Sequence, residues 1–198
     1  MSELSCFKAY DIRGRIPDQL NEDIAYRIGR AYADVIKPKK VVVGFDIRLS
    51  SPALTEALTN GLLDAGVDVY NIGLSGTEEV YFATFHYQMD GGIAVTASHN
   101  PKDYNGMKFV REESKPISGD TGLFDIKALA ENSEFSAIAA ERGKVYSLDI
   151  SQTYPQHLLA YVDKSKLKPL KLVVNAGNGG AGKVIDWMEP LLPVEFIK

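Results

Sequence analysis

The stretch from Gly91 to Val110, GGIAVTASHNPKDYNGMKFV, brings together a hydroxyl, an imidazole and an amine. Ser98 and His99 directly follow a short apolar run, and Lys108 lies ten residues further along. Asn-Pro after His99 favours a turn, so we expect the Ser98 hydroxyl to be presented rather than buried. The open alternative is that Ser98 only caps this turn.

His99 and Lys108 each have a structural alternative as well. His99 lies in a polar loop, where it can donate a hydrogen bond to an anion and titrate near neutral pH, whereas His86 and His157 lie in predicted helices. Lys108 stands between Met107 and Phe109, which should point to the opposite face of the same strand. Lys108 is therefore either an ordinary solvent-facing residue or one directed into a cleft.

Two arginines follow apolar segments in a similar way. Arg13 closes FKAYDIRG, and Arg48 comes after the buried run VVVGFD in GFDIRLSS. We expect both to lie at carboxyl ends of strands, where open α/β sheets bind their ligands. Two arginines and a lysine converging on a serine would suit phosphate. The alternative is that they pair locally with Asp11 and Asp46.

A glycine-rich turn offers a second kind of site. GNGGAG, from Gly177 to Gly182, fits the G-x-G-x-x-G pattern between a predicted strand and helix, and Glu195 stands where a ribose-binding acid would. The pattern allows a nucleotide-binding module, although the same glycines also serve a tight strand-to-helix turn. A Ser-His-Asp hydrolase is not indicated, because the chain has no G-x-S-x-G elbow.

The elements that must position these residues alternate along the chain. Periodicity and end signals predict helices over 21–38, 51–66, 77–88 and within 118–135, and strands over 40–46, 67–73, 91–97 and 106–110. Ser51 is the expected cap of the second helix. This alternation predicts a three-layer α/β/α domain with a mostly parallel sheet. The return from 97 to 106 is too short for a helical crossover, so that pair should be antiparallel and the sheet mixed.

The pattern changes near residue 150, which divides the chain into predicted domains 1–150 and 151–198. The second part contains a predicted helix over 153–167, a strand, the glycine turn, another helix and a strand over 194–198. It forms an incomplete α/β unit, and so few residues bury little surface by themselves. We interpret the chain as a fragment of a longer protein. The competing interpretation is that residues 151–198 pack onto the first domain and complete it.

Composition excludes several classes of protein. The net charge of −4 lacks the basic footprint of a nucleic-acid binder, and the 45% of hydrophobic residues include no membrane-length apolar run. Cys6 is the only cysteine, which excludes an internal disulfide and a cysteine-based zinc site. A reducing compartment, the cytoplasm, is the simplest expectation.

Together these segments resemble a known family. TASHNP at Thr96–Pro101 is similar to the phosphoserine loop of the α-D-phosphohexomutases, and FKAYDIRG, GFDIRLSS, YNGMK and PISGDTGL match further family segments in the expected order. The resemblance covers essentially the whole chain and is strongest to the bacterial phosphomannomutase branch of GDP-mannose biosynthesis. Phosphoglucomutase or dual specificity remains an alternative.

The resemblance implies a role for each candidate residue. Ser98 would carry a phosphoryl group that moves between C6 and C1 of a phosphohexose through a hexose 1,6-bisphosphate, and its phosphate would also be a ligand of Mg²⁺. Lys108 would be the candidate general base. The residues that would line the site around the phosphoryl group are Tyr10, Arg13 and His99, with Arg48 close to the serine loop.

The family pattern also extends beyond what this chain contains. Family members have four domains, and the other magnesium ligands lie in a D-x-D-x-D loop of the second domain that is not found here. KLVVNAGNGGAG is similar to the opening of that second domain. The resemblance therefore implies that the chain needs the missing C-terminal domains and does not turn over substrate alone.

Overall fold

The computed structural model describes residues 3–198, which form two compact units, one ending at Leu148 and the other running from Asp149 to Lys198. In the first unit helices and strands alternate, as the sequence predicts. Its strands are β1 (Ile12–Arg15), β2 (Lys40–Phe45), β3 (Asp68–Leu74), β4 (Gly91–Val95), β5 (Tyr104–Arg111) and β6 (Val145–Ser147). Its helices are α1 (Glu22–Ile36), α2 (Ser51–Asp64), α3 (Thr77–His86) and α4 (Leu123–Asn132).

The six strands of the first unit form one mixed sheet in the order β1-β5-β4-β2-β3-β6. Strands β4, β2, β3 and β6 pair in parallel, whereas β5 runs antiparallel to both of its neighbours. The expected antiparallel return after β4 is therefore confirmed. Because β5 lies between β1 and β4, residues near the N-terminus are brought to the same edge of the sheet as the Ser98 loop.

Helices cover both faces of this sheet. The main hydrophobic core lies between one face and α1, α2 and α4, and it includes Ile93, Met107 and Phe109. On the other face, Gly92 leaves room for Val80 and Thr84 of α3. Alternate residues of β4 thus pack against helices on opposite faces of the sheet, which confirms the predicted α/β fold class.

The ends of the helices follow from local side chains. Asn21 caps α1, and its side chain accepts a hydrogen bond from the backbone N–H of Ile24. The expectation that Ser51 caps α2 is wrong, because Ser51 is the first helical residue and Ser50 precedes it. The hydroxyl of Ser51 instead donates to Asp46 at 2.6 Å.

In the second unit, β7 (Leu170–Val173) and β8 (Val194–Ile197) form a parallel pair, accompanied by α5 (Thr153–Leu159) and α6 (Ala181–Met188). The helix predicted over 153–167 ends at Leu159, and a short 3₁₀ turn follows at Lys164–Lys166. No side chain in the described stretch 160–198 is buried. None of the helices in residues 3–198 is both long and apolar enough to cross a membrane.

Candidate active site

Ser98 lies in the loop that joins β4 to β5, three residues after the end of β4. Its side chain is exposed, and its backbone has φ near 52°, in the left-handed region that serine seldom occupies. The Oγ atom of Ser98 lies 3.3 Å from Nδ1 of His99, which is also exposed. The loop therefore presents a hydroxyl beside an imidazole, in a conformation that the surrounding structure has to support.

A network of side-chain hydrogen bonds supports this backbone conformation of Ser98. The hydroxyl of Thr96 accepts a hydrogen bond from the backbone N–H of Ser98 at 2.9 Å and donates to the Asp46 carboxylate at 2.8 Å. Asp46 also accepts from the Ser51 hydroxyl, which in turn accepts from the side-chain amide of the buried Asn105. This network connects the end of β2, the start of α2 and the start of β5 to the Ser98 backbone.

Arg48 occupies the inside of the Ser98 loop. Its two terminal nitrogens donate four hydrogen bonds of 2.6–2.9 Å to backbone carbonyls of the loop, and its Nε lies 3.3 Å from the Asp46 carboxylate. The accepting carbonyls belong to Ser98, Asn100, Pro101 and Tyr104. A guanidinium has five N–H donors, and all five face these partners. Arg48 thus donates to the loop carbonyls and pairs with Asp46, which is the local alternative to the expected contact with phosphate.

Arg13 and Lys108 share one acidic partner. Asp11 lies 2.7 Å from a guanidinium nitrogen of Arg13 and 3.8 Å from the ammonium nitrogen of Lys108. The side chain of Lys108 is one-third exposed, while those of Met107 and Phe109 are buried on the other face, as their alternation predicts. Lys108 is thus directed away from the core and held at the edge where Asp11 lies.

The position of Arg13 differs from the expected carboxyl end of a strand. Arg13 is the second residue of β1 and lies in register with Gly106, whose carbonyl accepts from the N–H of Thr96. The reason is that β1 begins at the level of the sheet where β4 ends. Arg13 therefore lies beside the Ser98 loop although it does not follow a strand.

A cavity of about 480 Å³ lies next to this arrangement. It is lined by Lys8, Asp11, Arg13, Gln19, Asn100 and Tyr104. Of the residues predicted to form the site, only Arg13 lines this cavity, whereas Tyr10 lies just before β1 with 79% of its surface exposed. Asn100 links the cavity to the Ser98 loop, so a bound group there would face both loop and arginine.

The described residues do not form a metal site of their own. Within residues 3–198, no group of three or more His, Cys, Asp and Glu side chains is arranged to hold a metal ion. Cys6 is also unsuited to chemistry, because burial raises the pKa of its thiol to about 11 and keeps it protonated at neutral pH. The chemical groups on offer are therefore a hydroxyl, an imidazole and fixed cations.

The glycine-rich turn forms the predicted strand–turn–helix between β7 and α6. A cavity of about 520 Å³ lies beside it and includes Gly177 and Gly182. Glu195 does not line that cavity but pairs with Lys171 across β7 and β8 at 2.8 Å. The acid that a dinucleotide site would need is thus used in a strand-to-strand ion pair.

Sequence reasoning missed the supporting residues of the site. From the sequence, Asp11 and Asp46 are expected only as local partners of the neighbouring arginines, and no pattern points to Thr96 or Asn105. Their signal in the sequence is weak, since a polar residue beside a strand end is common in loops. Only the pairing of β1, β5, β4 and β2 shows that these residues act together.

Comparison with known proteins agrees with this geometry. Residues 5–137, more than half of the chain, match the family model described as phosphoglucomutase/phosphomannomutase, alpha/beta/alpha domain I. The chain therefore belongs to the phosphoglucomutase/phosphomannomutase family, and the matched residues contain the Ser98 loop.

Individual relatives extend the match to the whole chain. A phosphomannomutase of Salmonella montevideo is 61% identical over 100% of this chain and 45% of its own length. A Xanthomonas campestris protein named "Phosphohexose mutases" is 57% identical over 98% of this chain and 43% of its own length. The crystal structure of a Burkholderia thailandensis family protein superposes with a TM-score of 0.86 at 37% identity, covering 100% of this chain and 44% of that one. The chain thus spans a little under half the length of these proteins.

Proposed function

We propose that this chain is the phosphoserine-bearing part of a phosphomannomutase, which interconverts mannose 6-phosphate and mannose 1-phosphate. The observation that carries the proposal is the exposed Ser98 hydroxyl, held at φ near 52° on a loop braced by Arg48. Relatives of high identity carry the name phosphomannomutase. In this proposal residues 1–150 form the first domain of the enzyme and residues 151–198 begin its second.

The proposed reaction is two phosphoryl transfers in opposite directions. In the first, the bond between phosphorus and Ser98 Oγ breaks, and phosphorus bonds to a hydroxyl of the hexose monophosphate. This gives a hexose 1,6-bisphosphate and a free serine. In the second transfer the other phosphoryl group leaves its sugar oxygen, which becomes a hydroxyl, and bonds to Ser98 Oγ. The sugar hydroxyl loses a proton as it attacks, with Lys108 as the proposed general base, and the departing Ser98 oxygen takes up a proton to give the serine hydroxyl.

The fixed cations explain why this edge of the sheet suits the transfer. Phosphoryl transfer is accelerated mainly by positioning and by neutralising the negative charge spread over the phosphoryl oxygens. Arg13, already oriented by Asp11, and the imidazole of His99 are the proposed contacts to those oxygens, with Tyr10 lining the approach. Arg48 contributes by ordering the loop rather than by touching the phosphate.

The proposed magnesium ion is not accommodated by the described residues alone. We propose that phosphorylated Ser98 supplies one ligand and that the remaining ligands lie in domains beyond this chain. Those domains would also recognise the sugar. The buried, free Cys6 thiol supports the cytoplasm as the compartment of the enzyme.

The names of the family model and of one relative make a broader sugar specificity the second candidate function. The family model covers both phosphoglucomutases and phosphomannomutases, and the Xanthomonas campestris relative is named for phosphohexoses in general. We therefore propose dual action on glucose and mannose phosphates as the alternative. Initial rates with both sugar phosphates, measured on the longer protein, distinguish the two.

The direct test is the mass of the purified chain, followed by peptide mapping. We expect one added phosphoryl group on Ser98 and none in Ser98→Ala. Ser133→Ala is the matched control, because Ser133 is also exposed and left-handed, with φ near 53°, and its replacement should leave the phosphate in place. If the chain is isolated unmodified, it is treated with hexose 1,6-bisphosphate, Mg²⁺ and the missing domains. Absence of phosphate at Ser98 after this treatment contradicts the proposal.

A companion measurement addresses the length of the chain. We expect the 198 residues alone to show no mutase activity, because sugar recognition and the other metal ligands are proposed to lie elsewhere. Limited proteolysis should remove the stretch after about residue 152 rapidly, because its side chains are little buried beyond Leu159. Turnover by the purified chain, or resistance of that stretch, contradicts the fragment interpretation.

A further inference from the structure

Arg48 is the residue that ties the Ser98 loop to the sheet. Four of its N–H groups reach carbonyls spread over seven residues, from Ser98 to Tyr104 at the start of β5, and these carbonyls are 50 to 56 positions away in sequence. Hydrogen bonds from a charged donor are stronger than neutral ones. A single side chain therefore gathers four carbonyl groups, of which only that of Pro101 has another backbone donor among the loop hydrogen bonds, the N–H of Tyr104.

The side chain of Arg48 is itself held in place. It is only 11% exposed, and the Asp46 carboxylate lies 3.3 Å from its Nε. Asp46 in turn accepts from the backbone N–H of Arg48 and from the hydroxyls of Ser51 and Thr96. The Nε side of the guanidinium is thus held by Asp46 at the end of β2, while its terminal nitrogens face the loop.

The loop has a conformation that needs such support. Ser98 is left-handed, which costs a residue other than glycine of order 1 kcal/mol or more. The carbonyl of Ser98 accepts from Arg48, and its N–H donates to the hydroxyl of Thr96. Both peptide groups beside Ser98 are therefore hydrogen-bonded to side chains at the end of the sheet. The side chain is left pointing away from these contacts, toward solvent.

We propose that Arg48 is a positioning residue that sets the Ser98 loop in its reactive conformation without binding the substrate. The guanidinium holds the loop carbonyls inward, and this keeps the Ser98 hydroxyl turned outward in a fixed direction. The part of the proposal that concerns phosphoryl transfer rests on the function proposed above. The structural part stands independently of it.

Two variants distinguish the contribution of the hydrogen bonds from Arg48 to the carbonyls from the contribution of its positive charge. Arg48→Lys keeps a cation beside Asp46, but an ammonium cannot reach four carbonyls in the planar arrangement of a guanidinium. Arg48→Met removes the charge as well. Arg15→Met is the matched control, because Arg15 is half exposed and contacts only the exposed carboxylate of Asp18 among its ionic partners.

The first measurement is hydrogen exchange on this chain. Its reporters are the amides of Ser98, Asn100 and Tyr104, which are bonded within the loop and its flank. We expect exchange at these amides to rise about 10- to 100-fold in Arg48→Met and in Arg48→Lys, with the core strands unchanged. Unchanged exchange at these amides in a folded Arg48→Lys overturns the proposal. If Arg48→Met fails to fold, Arg48→Lys decides the question alone.

The second measurement is steady-state kinetics on the longer protein proposed above. We expect kcat to fall at least tenfold in Arg48→Lys while KM stays within about threefold, because the arginine has no donor left for substrate. A large rise in KM with kcat preserved overturns the proposal and makes Arg48 a phosphate ligand. If the wild-type protein lacks mutase activity, the function proposed above has failed, and the exchange measurement still decides the role of Arg48.

Discussion

The ammonium nitrogen of Lys108 lies 3.8 Å from a carboxylate oxygen of Asp11, although 97 positions separate the two residues. The same oxygen of Asp11 lies 2.7 Å from a guanidinium nitrogen of Arg13. One partly buried carboxylate therefore lies beside both basic side chains that we propose to act at Ser98. Its place is set by the antiparallel pairing of β1 with β5, which brings the two segments side by side.

Asp11→Asn should loosen both cations while leaving the fold intact. The loss of a charge-assisted hydrogen bond to Arg13 is expected to lower the free energy of unfolding by about 1–2 kcal/mol. In the longer protein, phosphoryl transfer should fall by about tenfold, since a misplaced cation loses roughly 1.4 kcal/mol of transition-state stabilisation. Urea unfolding and initial rates measure the two effects. Asp18→Asn, which breaks an exposed pair with Arg15, should change neither, and equal effects of both variants would refute the role of Asp11.

Thr96→Val tests the support below Ser98 with almost no change in side-chain shape. Valine removes the hydroxyl that accepts from the Ser98 N–H and donates to Asp46, so two partly buried polar groups lose a partner. We expect a loss of about 1–3 kcal/mol in unfolding free energy, measured by urea denaturation. Thr84→Val is the control, because the Thr84 hydroxyl donates only to the carbonyl of Val80 within its own helix. A smaller loss for Thr96→Val than for Thr84→Val would contradict the network.

Gly61→Ala tests the close approach of α1 and α2. A Cβ at Gly61 would overlap the carbonyl oxygen of Tyr26, and one at Gly29 would overlap that of Leu58. Helix propensity by itself favours alanine by about 1 kcal/mol, so propensity and packing predict effects of opposite sign. We expect packing to prevail and to lower the unfolding free energy by about 1–3 kcal/mol. Glu56→Ala, exposed on the same helix, should stay within about 0.5 kcal/mol, and a stabilised Gly61→Ala would show that the helices can separate freely.

Asp64 makes the stability of the first unit depend on pH in the acid range. The hydrogen bond from Arg142, followed by that from Tyr26, holds the pKa of Asp64 below its ordinary value of 3.8, against the opposing effect of burial. A lowered folded-state pKa adds stability that is present above the ordinary pKa and is lost as pH falls through the folded-state pKa.

The matching experiment is urea unfolding of Asp64→Asn and wild type from about pH 7 to about pH 3. We expect the wild-type advantage to be constant above about pH 5 and to shrink below about pH 4. Asp23→Asn, which changes a carboxylate exposed on α1, should follow the wild-type profile. A difference between Asp64→Asn and wild type that stays constant down to the lowest pH would show that the carboxylate is not coupled to folding.

Local patterning was enough to predict most of the elements. The runs over 21–38, 40–46 and 51–66 carry helix or strand periodicity together with end signals, and each forms the expected element. The error at Ser51 and the short helix ending at Leu159 both concern ends, where tertiary contacts compete with local capping. The sequence also singled out Ser98, because a serine followed by His-Asn-Pro after an apolar run is a turn with a reactive group.

The partners of the site residues were decided only by the tertiary structure. Whether Arg48 meets phosphate, Asp46 or the loop depends on which strands lie beside β2, and one of them is β4, which begins 46 residues after β2 ends. Likewise, Asp11 meets Lys108 because β5 inserts between β1 and β4. Periodicity records which face of an element is buried, whereas strand order and register come from the packing of the whole core. The sequence by itself therefore determined the fold class and the candidate Ser98 loop, and the tertiary structure decided that Arg48 donates to the loop carbonyls and that Asp11 lies between Arg13 and Lys108.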